Sequence, residues 1–371
     1  MIKKYAPHRA DIVGSFLRPE KLKEARLLFS KGEIGANELK DLEDKLIEEL
    51  ILKQKAHGLK VITDGEFRRA YWHLDFMWGF NGVKKIELEH GYKFHGEETA
   101  KGSIKLVGKI SGENHPFVEH FKFVKQFETP GVVARQTIPA PAQFLAELFR
   151  GDNIINTRNI YPDLNELEHD IAKAYQTVMN DLKKAGCKNI QFDDCTWGMI
   201  VDKDYLKTKF SKGFVFDIEA ERGLRLNNRA LSNRPEDVTI ATHICRGNYH
   251  STYASQGPYD DVAPYVFARE NVDALYLEFD DERSGGFEPL KEVSPDKSVV
   301  LGLITSKSPI LENKDFVKER IVKASEFVPI DRLCLSPQCG FASCEIGNKL
   351  TEDQQWAKID LVQEIASEVW G

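Results

Sequence analysis

Eight short runs of β-branched and apolar residues recur along the chain, most of them followed by a helical pattern, and no other feature narrows the fold as far. The runs are 10–16 (ADIVGSF), 59–65 (LKVITDG), 131–138 (GVVARQTI), 189–194 (NIQFDD), 237–244 (DVTIATHI), 274–280 (ALYLEFD), 298–305 (SVVLGLIT) and 332–338 (RLCLSPQ). Helices are predicted most clearly over 37–57, where Leu39, Leu42, Leu46, Leu50 and Leu52 recur before Gly58, and over 164–185, closed by Gly186. Others are predicted near 142–150, 217–224, 312–326 and 351–369. Strands this apolar, separated by helices, belong to a parallel sheet covered on its outer face, and eight of them close a (β/α)8 TIM barrel of the α/β class. Residues 1–371 are expected to form one such unit. The exception is 68–130, aromatic, glycine-rich and charged, which is predicted as a βα-loop insertion with a small antiparallel sheet, either decorating the rim or closing over it.

Charge and cysteine content remove several classes of function. With 51 basic and 58 acidic residues the net charge is -7, so no positive field favours nucleic acid or an anionic membrane. No apolar run approaches the ~18 residues of a membrane span. The opening MIKKYAPHRADIVGSF lacks the apolar segment and cleavage site of a signal peptide, so a cytoplasmic protein is expected. Six cysteines in 371 residues are too few and too unevenly placed for a disulfide framework. They read as buried thiols or metal ligands.

Barrel enzymes carry their chemistry where the strands end. The fifth run ends in His243-Ile244-Cys245, and alternation along an extended chain points residues 243 and 245 the same way. Glu278 stands near the end of the sixth run and Cys339 just after the eighth. Two thiolates, an imidazole and a carboxylate converging on one rim suit zinc. Cys187, Cys334 and Cys344 are expected to be core thiols, with Cys334 facing away from Cys339. Cys195 is the reserve ligand. On the same rim, Glu66 and Asp193 could bind a substrate ammonium group and the Gly14-Ser15 turn a carboxylate, as an amino-acid substrate requires. Asp64 and Asp194 are expected to cap helices or to pair with Arg68 and Arg69.

These segments, VGSFLRP (13–19), TDGEFRR (63–69), IQFDD (190–194), HICRGN (243–248), LEFD (277–280) and LSPQCG (335–340), resemble the catalytic C-terminal domain of cobalamin-independent methionine synthase, especially its short single-barrel relatives. The resemblance implies a zinc-dependent methyltransferase that activates homocysteine as a thiolate and methylates it to methionine. It implies zinc ligands at His243, Cys245, Glu278 and Cys339, and homocysteine contacts at Ser15, Glu66 and Asp193. The full-length enzymes also have an N-terminal barrel with no counterpart in this sequence. Where the family has a histidine that assists proton delivery, before a Ser-Pro, this chain has Lys307 in Ser306-Lys307-Ser308-Pro309, so Lys307 is either the proton donor or a solvent-facing loop lysine. The methyl donor is expected to be 5-methyltetrahydrofolate or a more activated donor, including a methyl-carrying partner protein. Two readings stay open beside this one: alkyl transfer to another thiol, with coenzyme M or a corrinoid donor, and a non-catalytic protein with structural zinc.

Overall fold

The computed structural model describes residues 5–210 and 213–371; the first four residues of the opening segment lie outside the described residues. Ten strands are present among them: β1 (Val61–Ile62), β2 (Asn81–Glu87), β3 (Gly102–Ser111), β4 (Val133–Ala134), β5 (Gln136–Pro139), β6 (Asn189–Asp194), β7 (Thr239–Ile244), β8 (Ala274–Glu278), β9 (Ser298–Ile304) and β10 (Leu333–Pro337). β5 to β10 form one parallel sheet in chain order, and β1 pairs in parallel with β4. The run 131–138 is thus one stave that changes partner at Arg135, whose N–H still reaches Ile62 O at 2.9 Å. The run 10–16 forms only a single bridge, Ala10 to Leu335, rather than the expected strand. It closes the ring nonetheless: Asp11 N donates to Leu335 O on one side, and Phe16 N donates to Gly65 O on the other. The result is a closed (β/α)8 barrel.

The barrel interior is polar where the sequence shows isolated charges among apolar residues. Asp11 and Arg135 form an ion pair at 2.9 Å with both side chains sealed from solvent, and Arg135 also donates to Tyr276 Oη at 2.6 Å. Such a pair tolerates burial because each group finds its partners inside. The helices cover the outside by their apolar faces. Leu164–Lys184 starts at Asp163, which accepts from Asn165 N, and buries Leu167, Ile171, Tyr175, Val178 and Leu182 before Gly186 takes φ 91°. In Ala36–Ala56 the buried face is Leu46, Ile47, Leu50 and Ile51, whereas Leu52 is exposed, because it lies two residues past Leu50 on the far side of the helix.

The predicted insertion does contain an antiparallel pair, β2 with β3. Helices that the periodicity did not suggest include Glu20–Ser30, Leu74–Met77, Cys195–Ile200 and Ala263–Arg269. No helix among the described residues is long and apolar enough to cross a membrane.

Candidate metal centre and substrate cavity

Register brings the reactive side chains to one end of the barrel. Asp193, His243 and Tyr276 are successive cross-strand partners on β6, β7 and β8, and Glu278 pairs with Gly302 at the end of β8. Cross-strand partners share a face, so Asp193, His243 and Glu278 all point into the barrel. His243, Glu278 and Cys339 each offer a ligand atom within 4.8 Å of the others. Cys245 Sγ lies 3.7 Å from Cys339 Sγ and accepts from Gly247 N at 3.3 Å. The Cys195 thiol hydrogen-bonds to that of Cys245, which places the reserve ligand beside the cluster.

Cys334 does not face away from Cys339. This residue pairs with Val300, which pairs with Tyr276, so Cys334 faces the same interior as His243. A register shift between Ser336 and Pro337 rephases the chain and lets Cys339 also turn inward, five residues later. Cys334 itself is sealed in a layer with Ala241, Ala274, Tyr276 and Val300.

The donor set fits a divalent metal. Glu278 is buried, with Oε1 accepting from Arg246 N at 3.0 Å, but Oε2 is sealed from solvent and has no hydrogen-bond partner. A bare carboxylate oxygen beside an imidazole and two thiols is costly unless a cation completes it. His243 is oriented by its neighbours: Asp193 Oδ1 lies 3.0 Å from Nδ1 and Gln338 O lies 3.1 Å from Nε2. Burial opposes charge on this ring, but the hydrogen bond to Asp193 and the nearby Cys339 and Glu278 raise its pKa to about 9. Asp193 therefore does more than the sequence reading assigns to it. It also fixes the ring of a prospective ligand.

The cluster opens on a cavity of about 850 Å³ whose lining includes Ser15, Glu66, Asp193, His243, Cys245 and Cys339. Glu66 enters it from a turn after β1 in which Gly65 and Glu66 have φ of 64° and 61°, and Asp64 Oδ1 accepts from Glu66 N at 2.8 Å. Asp64 thus steadies this turn instead of capping a helix. Asp194 is a true cap, accepting from Thr196 N at 2.8 Å. Arg68 pairs with Glu43 and Asp44, and Arg69 with Glu66, rather than with Asp64 or Asp194. On Glu66, Oε1 is held by Arg69 at 3.2 Å and Thr137 Oγ1 at 3.1 Å, while Oε2 is without a partner. Burial pushes its pKa up to about 7 despite Arg69.

Ser15 meets the loop after β10: its Oγ accepts from Ala342 N at 3.3 Å, and a Cβ on Gly340 would lie 1.9 Å from that oxygen. Glycine follows the prospective ligand Cys339 because no side chain fits there, a constraint that spacing could not reveal. Lys307 is not among the cavity's lining residues. Its Nζ is sealed from solvent without a hydrogen-bond partner, and its charge faces Asp280.

Residues 142–358 match the family described as "Cobalamin-independent synthase, Catalytic domain". The chain belongs to the cobalamin-independent methionine synthase family. It is 44% identical to the uncharacterized protein YxjG of Bacillus subtilis (strain 168), covering 99% of this chain and 96% of that protein. Among solved structures it resembles a candidate vitamin-B12 independent methionine synthase from Listeria monocytogenes, with 38% identity, full coverage of both chains and a TM-score of 0.79. A B12-independent methionine synthase from Shewanella sp. W3-18-1, solved with selenomethionine, shares the family fold at 20% identity and a TM-score of 0.73, over 98% of each chain.

Proposed function

We propose that this protein is a zinc-dependent methyltransferase that converts homocysteine to methionine in the cytoplasm, with residues 1–371 acting as one catalytic unit on small-molecule substrates. The observation that carries this reading is one cavity holding both a sulfur-rich ligand cluster and a separate, unpartnered carboxylate oxygen on Glu66. His243, Cys245, Glu278 and Cys339 would hold the zinc. Bound there, zinc lowers the pKa of a substrate thiol so that it reacts as the thiolate at neutral pH.

The remaining steps belong to the chain. Glu66 Oε2 and Asp193 receive the ammonium group of homocysteine, a charge-assisted contact that a thiol without an amine cannot make. Ser15 and the neighbouring backbone receive its carboxylate. Trp72, Tyr92, Phe94 and Trp197 supply broad apolar faces along the same cavity, where a donor can stack with its methyl group toward the sulfur. Excluding water there strengthens each of these polar contacts.

The test is turnover. Zinc-loaded protein is incubated with homocysteine and, in separate reactions, 5-methyltetrahydrofolate and methylcobalamin, and methionine is measured. Methionine from either donor is expected, with loss in Glu66→Gln at limiting homocysteine. Absence of methionine with both donors, together with no binding of homocysteine, would overturn the reading.

A further inference from the structure

The connection between β2 and β3 is an arm that reaches from one wall of the cavity to another. Leu88 N donates to Lys101 O at 2.9 Å, Thr99 N to Tyr92 O at 3.0 Å and Phe94 N to Glu97 O at 2.8 Å, so residues 88–101 prolong the hairpin and turn at His95-Gly96. Tyr92, Phe94, His95 and Thr99 of this arm line the cavity. At its base the arm is tied to the helix Pro141–Leu148 and the residues after it: Tyr92 Oη donates to Glu147 Oε2, and Arg150 donates to His90 O at 3.0 Å while lying over the Tyr92 ring at 3.6 Å.

The tip meets a different segment, the loop that leaves the metal centre after Cys245. His95 N donates to Tyr253 O at 3.1 Å and their rings stack at 4.5 Å, while the Phe94 ring lies 5.3 Å from that of Tyr249. The Glu97 carboxylate accepts from His250 Nδ1 at 2.8 Å and from Lys349 Nζ at 3.1 Å. His250 and Ser251 hold the left-handed backbone, with φ of 48° and 65°, an uncommon conformation for residues with a side chain. Directly beneath the tip, Gly247 N donates to Cys245 Sγ at 3.3 Å, and a Cβ on Gly247 would lie 3.0 Å from Phe94 Cε1. Asn248 of the same loop donates to Gly340 O at 2.7 Å, next to Cys339. The arm therefore rests on the segment that presents the sulfur cluster, and Gly247 and Asn248 line the cavity with it.

The two ends are held differently. From 88 to 98 no residue is buried, so the arm has no core of its own and depends on its few polar and ring contacts. The contacts of Glu97 are half-exposed, and such contacts contribute little in water. The tip can thus come free while the barrel stays folded.

We propose that residues 88–101 form a lid over the cavity, fastened at its tip by Glu97 on His250 and Lys349, which releases to admit ligands and closes to shut water out from the sulfur cluster. The lid goes beyond the homocysteine reading, because it gates any ligand of this cavity.

Cys195 lines the cavity and is not one of the four proposed zinc ligands, so its thiol reports access. Zinc-loaded protein is treated with a dye-sized maleimide, and labelling of Cys195 is followed by peptide mass, in parallel with hydrogen exchange of the amides of 91–98. Glu97→Ala removes both fastenings at once and is expected to raise the two rates about 3- to 10-fold. Lys349→Ala, which removes one, is expected to raise them less. Glu89→Ala, on the same arm but with its side chain 91% exposed, is expected to match the wild type. Equal labelling of wild type and Glu97→Ala would overturn the lid. Faster exchange without faster labelling would overturn it too, since the arm would then move without gating the cavity. Neither readout uses homocysteine, so failure of the lid and failure of the homocysteine reading are separate results.

Discussion

Glu66→Gln separates recognition of the amino group from recognition of the sulfur. The substitution keeps the shape of a side chain that is 3% exposed and retains an oxygen for Arg69 and Thr137, but it removes the charge from the group whose Oε2 has no partner. A charged hydrogen bond to an ammonium group contributes about 1.5–3 kcal/mol. The dissociation constant for homocysteine should therefore rise about ten- to a hundred-fold at pH 8. Ethanethiol, which lacks the amine, should bind both proteins alike. The pH dependence follows from the raised pKa. Below about 7 the wild-type carboxyl is protonated and the homocysteine advantage fades, whereas the variant should show little change over the same range. Stability has the opposite slope: the folded state holds this proton more tightly than the unfolded chain, so the stabilisation is complete below the unfolded pKa near ~4.3 and is lost as pH rises through about 7. Glu66→Gln removes that loss, so its melting temperature at pH 8 should not fall below that of the wild type. Isothermal titration with the two thiols at pH 6 and 8 makes the comparison. An equal weakening of ethanethiol and homocysteine would refute the assignment.

Other perturbations test the support of the site. Asp193→Asn loosens the ring of His243, 3.0 Å away, and should weaken zinc about 10- to 100-fold in a chelator competition. Gly340→Ala drives a Cβ to within 1.9 Å of Ser15 Oγ and should lower stability by about 1–3 kcal/mol in urea unfolding, together with homocysteine affinity. Cys334→Ala, deep in the barrel, should reduce stability by about 1 kcal/mol and leave zinc content unchanged by atomic absorption.

What the sequence made legible was the part written in short-range pattern. Strands β6 to β10 are five of the eight apolar runs, with helices between them, and the barrel follows from the number eight. The first stave, 10–16, was legible as an apolar run but pairs only through the bridge at Ala10, held to β10 by Asp11 N to Leu335 O and Leu335 N to Arg9 O and to the β1 side by Phe16 N to Gly65 O, with Gly14 at φ 146° between them. His243 and Cys245 could be read as a pair because their spacing of two survives in β7 and just beyond it. Cys334 was misplaced by the same rule, since one register shift after Ser336 inverts the alternation. The pairing of Arg69 with Glu66, the Asp193 support of His243 and the position of Lys307 depend on side-chain direction across distant segments, which no local pattern encodes.

In the proposed site His243, Cys245, Glu278 and Cys339 bind a zinc ion that takes up the substrate sulfur. Zinc-edge X-ray absorption on the purified protein, before and after adding homocysteine, tests this directly. Two sulfur neighbours are expected at first, from Cys245 and Cys339, and three once homocysteine is present. A spectrum that does not change on adding saturating homocysteine would contradict it.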